Sequence, residues 1–146
     1  MPIENIKPNQ PNAQFSIGQK YNRQRDLHDR FGGNRQSGIA VCAKHPIILL
    51  FESPSGKEVG YKDGYTSRDT YYYTGEGGRG DMQFIRGNKA ILNHQIDGRA
   101  LHLFKKIKTG LYEYIGQFFY HSYLILEGYD IENHKRKIIQ FSLKRI

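Results

Sequence analysis

Apolar positions along the chain fall in short runs separated by polar turns, and their spacing changes from segment to segment. Ile39 to Cys42 and Ile47 to Phe51 are near-continuous apolar runs of strand length and read as buried strands. Ser53-Pro54-Ser55-Gly56 predicts a turn into a strand over Glu58 to Tyr61, and a loop then leads to Tyr71, Tyr72 and Tyr73. Leu101 to Ile107, Leu111 to Phe119, His121 to Leu126 and Lys137 to Leu143 follow as further strands. The last has period-two order, with Ile139, Phe141 and Leu143 set against Ile138, Gln140 and Ser142. That alternation predicts an antiparallel, half-exposed sheet.

Two segments carry helical spacing instead. Tyr21 to Phe31 brings Leu27 and Phe31 onto one face at i, i+4 before Gly32 and Gly33 end it. Gly87 to Asp97 sets Ala90, Ile91 and His94 near one face, with Gly98 as the stop, and is expected to be the main helix. Ahead of both, Met1 to Gln19 is rich in Pro, Asn and Gln, so residues 1–14 are expected to form a flexible arm and residues 15–146 one domain. Seven or eight strands with one or two flanking helices predict an α+β domain on a strongly bent, partly closed antiparallel β-barrel. There is no internal repeat. The chain stops straight after a strand, which raises the expectation of a module cut from a longer protein.

Composition narrows the class. With 146 residues, 38% hydrophobic and 13% aromatic, the chain belongs with folded rather than disordered sequences. Apolar runs such as Ile47 to Phe51 fall far short of the ~20 residues of a membrane span, and the N-terminus lacks the apolar core of a signal peptide. Cys42 is the only cysteine, so an intrachain disulfide and a Cys-based zinc site are both excluded, and a cytoplasmic location is expected. A net charge of +8 favours a polyanionic partner. Positive charge is grouped: residues 19–45 carry a local +4 and residues 77–110 carry +5, whereas residues 111–132 sum to −4. Such grouping suits a basic face, although a solvated surface has the same charge pattern.

Several motifs match by letter only. Gly75-Glu76-Gly77-Gly78-Arg79-Gly80 satisfies GxGxxG, but no buried aliphatic strand precedes it and no βαβ alternation follows. Six histidines are scattered without an i, i+4 pair, and Cys42 sits in an apolar strand with nothing nearby to activate it. No metal, cofactor or catalytic role is expected within the chain.

The densest chemistry runs from Gly60 to Asp81. Tyr61 and Tyr73 lie twelve residues apart, which places two rings at the ends of neighbouring strands around a loop that holds Asp63. An extruded nucleobase needs flat apolar faces on both sides and polar groups on its edge, and a carboxylate can accept from cytosine N4. The same residues also read as core tyrosines with polar tips and a turn-forming Asp.

The order of Phe31-Gly32-Gly33, Gln36-Ser37-Gly38-Ile39, Tyr73-Thr74-Gly75-Glu76-Gly77, Gly80-Asp81-Met82 and Gly87-Asn88 resembles the SRA (SET- and RING-associated) domain. The likeness is greatest to the SRA-like module of McrA-type HNH restriction endonucleases, and it covers about residues 15 to 143. The resemblance implies an SRA/PUA-like barrel that reads 5-methylcytosine or 5-hydroxymethylcytosine by base flipping. It implies a base pocket of Tyr61, Asp63, Tyr73, Thr74 and Gly75, and a duplex-wedging loop of Asn34, Arg35, Gln36 and Ser37. Asp63 falls about one position earlier than the acid of eukaryotic members, and their longer finger loop has no match. Lys20, Arg23, Lys44, Arg79, Arg86 and Lys89 are the expected DNA-backbone contacts.

The function expected is therefore a non-enzymatic reader of double-stranded DNA with modified cytosine, the recognition part of a type IV restriction system, fused to or associated with an HNH nuclease. An RNA-binding barrel, or a DNA-binding one without modification preference, is the alternative.

Overall fold

Eight strands and two short helical segments alternate in the computed structural model, which describes residues 15–52, 64–65 and 68–146. β1 (Lys20–Asn22) leads into a π-helix, Arg23–His28, that runs on into α1 (Asp29–Phe31). Then come β2 (Ile39–Cys42), β3 (Ile47–Glu52), β4 (Gly64–Tyr65), β5 (Thr70–Thr74) and α2 (Arg86–Leu92). β6 (Ala100–Lys108), β7 (Leu111–Tyr129) and β8 (Lys135–Arg145) complete the order. The α+β class is as expected, while the arm over residues 1–14, the turn at Ser53 to Gly56 and the strand over Glu58 to Tyr61 lie outside the described residues.

The first helical segment starts where its cap allows. Asn22 accepts the Arg25 N–H at 2.8 Å, and Asp26 reaches back to the Asn22 N–H at 2.7 Å, a reciprocal cap. Tyr21 is therefore left in a strand rather than in the helix. Gly32 and Gly33, both at positive φ, terminate the segment as the sequence indicates. Leu27 and Phe31 are buried on one face, and the fully buried Leu27 contributes roughly 2 kcal/mol.

The sheet runs β2-β3-β6-β7-β8-β5-β4, with β1 paired to the start of β7. Among the described residues all but one of the strand pairs are antiparallel. The exception corrects the expectation of an antiparallel barrel: β3 and β6 are parallel, with Ile47 opposite Ala100 and Glu52 opposite Lys105. The long connection through β5 and α2 supplies the crossover that a parallel neighbour requires.

Two predicted strands, Leu111 to Phe119 and His121 to Leu126, are one 19-residue strand, β7. It changes partner along its length, pairing with β6 up to Phe118 and with β8 from Phe118 onward. His121 is an extra residue between the Tyr120 and Ser122 registers, so the break in pattern is a bulge that bends the strand. β8 is buried on both faces, with Ile138, Gln140 and Ser142 as covered as Ile139 and Phe141, which corrects the half-exposed reading. Lying between β7 and β5, it is an interior strand.

Bending brings opposite ends of the sheet together without a closing ladder among the described residues. The Tyr73 hydroxyl of β5 lies 2.9 Å from the Gly38 carbonyl and 3.2 Å from that of Phe51, and the Tyr71 hydroxyl donates to Glu52 at 3.0 Å. Two cores result. Phe15, Tyr21, Leu27, Phe31 and Phe104 fill one face, while Leu50, Tyr73, Ile91, Phe118 and Phe141 fill the inside of the bend. α2 is shorter than expected because the backbone leaves helical geometry at Asn93, so the longer helical segment is the N-terminal one. His94 instead joins the turn to the bulge: its Nε2 accepts the Tyr120 N–H at 2.9 Å while Nδ1 pairs with the Arg99 carbonyl at 2.7 Å.

Candidate nucleic-acid interface

The loop over residues 34–37 stands exposed between α1 and β2, shaped by its own side chain and held from beneath. Asn34 Oδ1 accepts the N–H groups of Gln36 (2.7 Å) and Ser37 (2.8 Å), an Asx turn. Below it, the Arg23 Nη2 donates to the carbonyls of Asn34 (3.1 Å) and Ser37 (2.5 Å), and the guanidinium stacks over Phe51 at 3.8 Å. Arg23 Nε donates to His28 Nε2 at 2.8 Å, so the imidazole proton sits on Nδ1 and is given to the Gly32 carbonyl at 2.7 Å. Burial lowers the His28 pKa, in keeping with that neutral ring. Arg23, expected as a phosphate contact, is thus committed to the loop's carbonyls. Burial lowers its pKa as well.

Across from this loop lies the glycine-rich stretch over residues 75–82. Asn88, 1% exposed, accepts the Glu76 N–H at 2.9 Å and donates to the carbonyls of Glu76 and Gln83, each at 2.9 Å. Glu76 answers by accepting the Gly87 N–H at 3.0 Å. The approach leaves no room for side chains: a Cβ on Gly75 would lie 2.7 Å from Asn88 Oδ1, and one on Gly87 2.8 Å from Ile39 Cβ. The far end of the loop is tied to β8 and the turn before it. Arg136 donates to the carbonyls of Gly77 (2.5 Å) and Gly80 (3.2 Å), while Asp130 accepts the N–H groups of Gly80, Glu132 and His134. Those backbone bonds hold the Asp130 carboxyl down at about 2. Asp130, Glu132 and His134 stand within 4.8 Å of one another, but the Asp130 oxygens already serve these amides, and the cluster reads as a turn cap.

Between the two loops opens a cleft of about 480 Å³, with Asn34 and Ser37 on one side, Glu76, Arg79 and Met82 on the other, and Arg86 and Asn88 at the start of α2. Expected wedge residues Asn34 and Ser37 therefore meet expected phosphate contacts Arg79 and Arg86. Arg86 is exposed, takes positive φ (47°), and has no ion pair among the described residues. Lys89 is exposed one turn further along α2. Arg35 pairs with Asp29 at 3.1 Å and Arg79 with Glu132 at 3.5 Å, both in solvent, where such pairs contribute about 0–1 kcal/mol and yield easily to a phosphate.

Other expected residues are placed elsewhere. Lys44 lies in the turn after β2, at the opposite end of that strand from the loop, and Lys20 lies on β1 in register with Glu113. Tyr73 is 3% exposed and Tyr71 likewise, so both rings sit in the core with their hydroxyls bonded, while Tyr72 on the other face is half-buried. Thr74 and Gly75 follow Tyr73 into the glycine-rich loop, the Gly75 N–H donating to the Ile139 carbonyl at 2.8 Å. Tyr61 and Asp63 lie outside the described residues. Sequence reasoning missed Asn88, Asp130 and Arg136 as organisers of the site. Only the Gly87-Asn88 pair carried a signal for them.

Burial pushes the Cys42 thiol up to about 11, away from nucleophilic chemistry. No helix among the described residues is long and apolar enough to cross a membrane.

Solved structures share the fold of this chain. No curated protein matches the chain. Among solved structures, the type IV phosphorothioation-dependent restriction endonuclease ScoMcrA is similar with a TM-score of 0.73 at 20% identity, over 91% of this chain and 28% of that one. The sulfur binding and SRA domains of ScoMcrA in complex with phosphorothioated DNA give 0.72 at 20% identity, over 91% and 40%. The SRA domain of SUVH5 with hemi-methylated CG DNA gives 0.64 at 24% identity, over 92% and 90%. This chain thus spans well under half of the ScoMcrA chains and nearly all of the SUVH5 domain. Residues 17–146 also match the family model described as ScoMcrA-like, SRA domain, and with sequence and fold in agreement, the chain belongs to that family.

Proposed function

We propose that this domain binds duplex DNA and reads modified cytosine, 5-methylcytosine or 5-hydroxymethylcytosine, by flipping the base out of the helix. The cleft where the 34–37 loop faces the glycine-rich loop over the start of α2 is the observation that carries this reading. Arg79, Arg86 and Lys89 supply cations along one side for backbone phosphates. Asn34 to Ser37 form a braced, exposed turn suited to entering the gap a flipped base leaves behind, where Arg35 or Gln36 pairs with the orphan guanine. Tyr61 and Tyr73 stack on the base and Asp63 accepts from its N4. Entry of the base uncovers one face of the Tyr73 ring. SUVH5 SRA in complex with methylated and with hydroxymethylated CG DNA supports a pocket tolerant of either group.

In this reading the domain itself does no chemistry. It acts in the cytoplasm as the recognition part of a modification-dependent restriction system, with the cut made by a fused or associated HNH nuclease. ScoMcrA, a type IV restriction endonuclease, supports that setting.

Fluorescence anisotropy on matched duplexes carrying cytosine, 5-methylcytosine or 5-hydroxymethylcytosine tests the proposal. Tighter binding to a modified duplex, lost in Tyr61→Ala with salt-sensitive binding retained, is the expected result. Equal affinity for all three duplexes, or tighter binding to single-stranded RNA, overturns it.

A further inference from the structure

The Tyr73 hydroxyl and the Arg23 guanidinium grip the same short segment from two sides. Arg23 holds the carbonyls of Asn34 and Ser37, and Tyr73 holds the carbonyl of Gly38, the next residue. Both also rest on Phe51: the guanidinium lies 3.8 Å above its ring, and the hydroxyl is 3.2 Å from its carbonyl. His28 fixes the Arg23 Nε and is itself fixed by Gly32, so the arginine has little freedom to swing away. The hydroxyl also lies against the backbone of this segment, since a Cβ on Gly38 would be in van der Waals contact with it at 3.4 Å. A base-stacking tyrosine needs only its ring, and a wedging loop needs only its exposed side chains. Neither role accounts for a half-buried arginine and a phenol oxygen converging on loop carbonyls.

We infer that Arg23 and the Tyr73 hydroxyl are positioning groups that couple the 34–37 loop to the base pocket, so that the ring beneath the flipped base and the loop filling its place move as one unit. This rests on the base-flipping reading for its consequence but not for its geometry. Arg23 touches no DNA in this scheme. Its effect reaches the duplex through the loop, and the Tyr73 oxygen adds to what the ring does by stacking. An arginine suits the task because Nη2 serves both carbonyls while Nε is held by His28 and the guanidinium face stacks on Phe51; a lysine ammonium has neither the second nitrogen for His28 nor a planar face for that ring.

Tyr73→Phe and Arg23→Lys test the coupling, the first keeping the ring and the second the charge. Amide exchange at Gln36 and Ser37, whose N–H groups close the turn on Asn34, reports loop order without DNA. Both variants are expected to exchange faster there. Both are also expected to lose about fivefold or more in the ratio of modified to unmodified affinity, the size of one net hydrogen bond. Unchanged exchange at Gln36 and Ser37 in folded variants overturns the inference. A parallel fall on both duplexes with a lowered melting temperature does so too, because it marks general loosening. If the wild-type protein shows no preference for modified DNA, the function proposed above fails alone, and the exchange rates still decide the coupling.

Discussion

The Asn88 side chain clamps the backbone of Glu76, accepting its N–H and donating to its carbonyl, each at 2.9 Å. Nothing else in the glycine-rich loop is bound on both sides by one residue among the described bonds. The arrangement makes a buried amide on α2 the template for the loop that faces the cleft. A carboxamide is the one short side chain with a donor and an acceptor side by side.

Asn88→Ala is expected to cost about 2 to 3 kcal/mol of stability, since it leaves one N–H and two carbonyls unpaired in a buried place. Asn88→Asp keeps the acceptor and removes the donor, and is expected to be no milder. Urea unfolding midpoints measure both. A loss under about 0.5 kcal/mol, the scale of an ordinary surface change, would show that the loop does not depend on the clamp.

Gly87→Ala would place a methyl 2.5 Å from Glu76 Oε2 and 2.8 Å from Ile39 Cβ. The carboxylate can move aside but the β2 side chain cannot do so without repacking. A destabilisation of about 1 to 3 kcal/mol is expected, read as a lower melting temperature. Gly98→Ala tests the other kind of glycine: nothing crowds it, and only its φ of 70° resists substitution, so about 1 kcal/mol is expected.

Arg86 holds a left-handed backbone conformation without the excuse of being a glycine. Arg86→Gly is expected to leave the domain as stable or up to about 1 kcal/mol more stable. The same change is expected to weaken all duplexes alike and flatten the slope of log K against log salt by about 0.9. Unaltered DNA affinity with improved stability would remove Arg86 from the interface.

Acid should destabilise the domain before its carboxylates matter. Burial lowers the pKa of His102 to about 4 and lowers those of His28 and His94. Between 6.5 and 4 the unfolded chain binds more protons than the folded one at His102, so stability is full above 6.5 and falls as the pH drops through that window. The His102 share is on the order of 3 kcal/mol by pH 4. His102→Gln, which can still meet the Tyr114 hydroxyl, is expected to flatten the melting-temperature profile from pH 7 to 4. Asp130, held at about 2, keeps its contribution through that range and loses it as the pH falls from 3.8 to about 2. An identical profile in the variant would refute the assignment.

Local order was largely legible from residue pattern alone. Ile39–Cys42 is a strand with the bounds its apolar run indicates, Ile47–Glu52 differs by one residue, and Gly32 stops the segment before it, whereas α2 ends at Leu92, short of the expected stop at Gly98. These features depend on neighbours in sequence: burial of a short apolar run, and the positive φ that glycine alone takes freely. The motif order also carried the family, because it demands glycine where the backbone is pressed against neighbouring side chains, as at Gly75 by Asn88 and at Gly87 by Glu76 and Ile39. Tertiary structure decided what depends on distant partners. The β3–β6 pair is parallel because of how the chain crosses over, and β8 is buried on both faces because it lies between β7 and β5. Charge was hardest to read. Arg23, Arg99 and Arg136 belong to segments that look uniformly basic, yet each turns a guanidinium onto carbonyls, while Arg86 and Lys89 remain exposed beside the cleft. Sequence determines that the cations are present. Only the fold determines which of them meet a carbonyl first, because the acceptors arrive from residues up to 59 positions away.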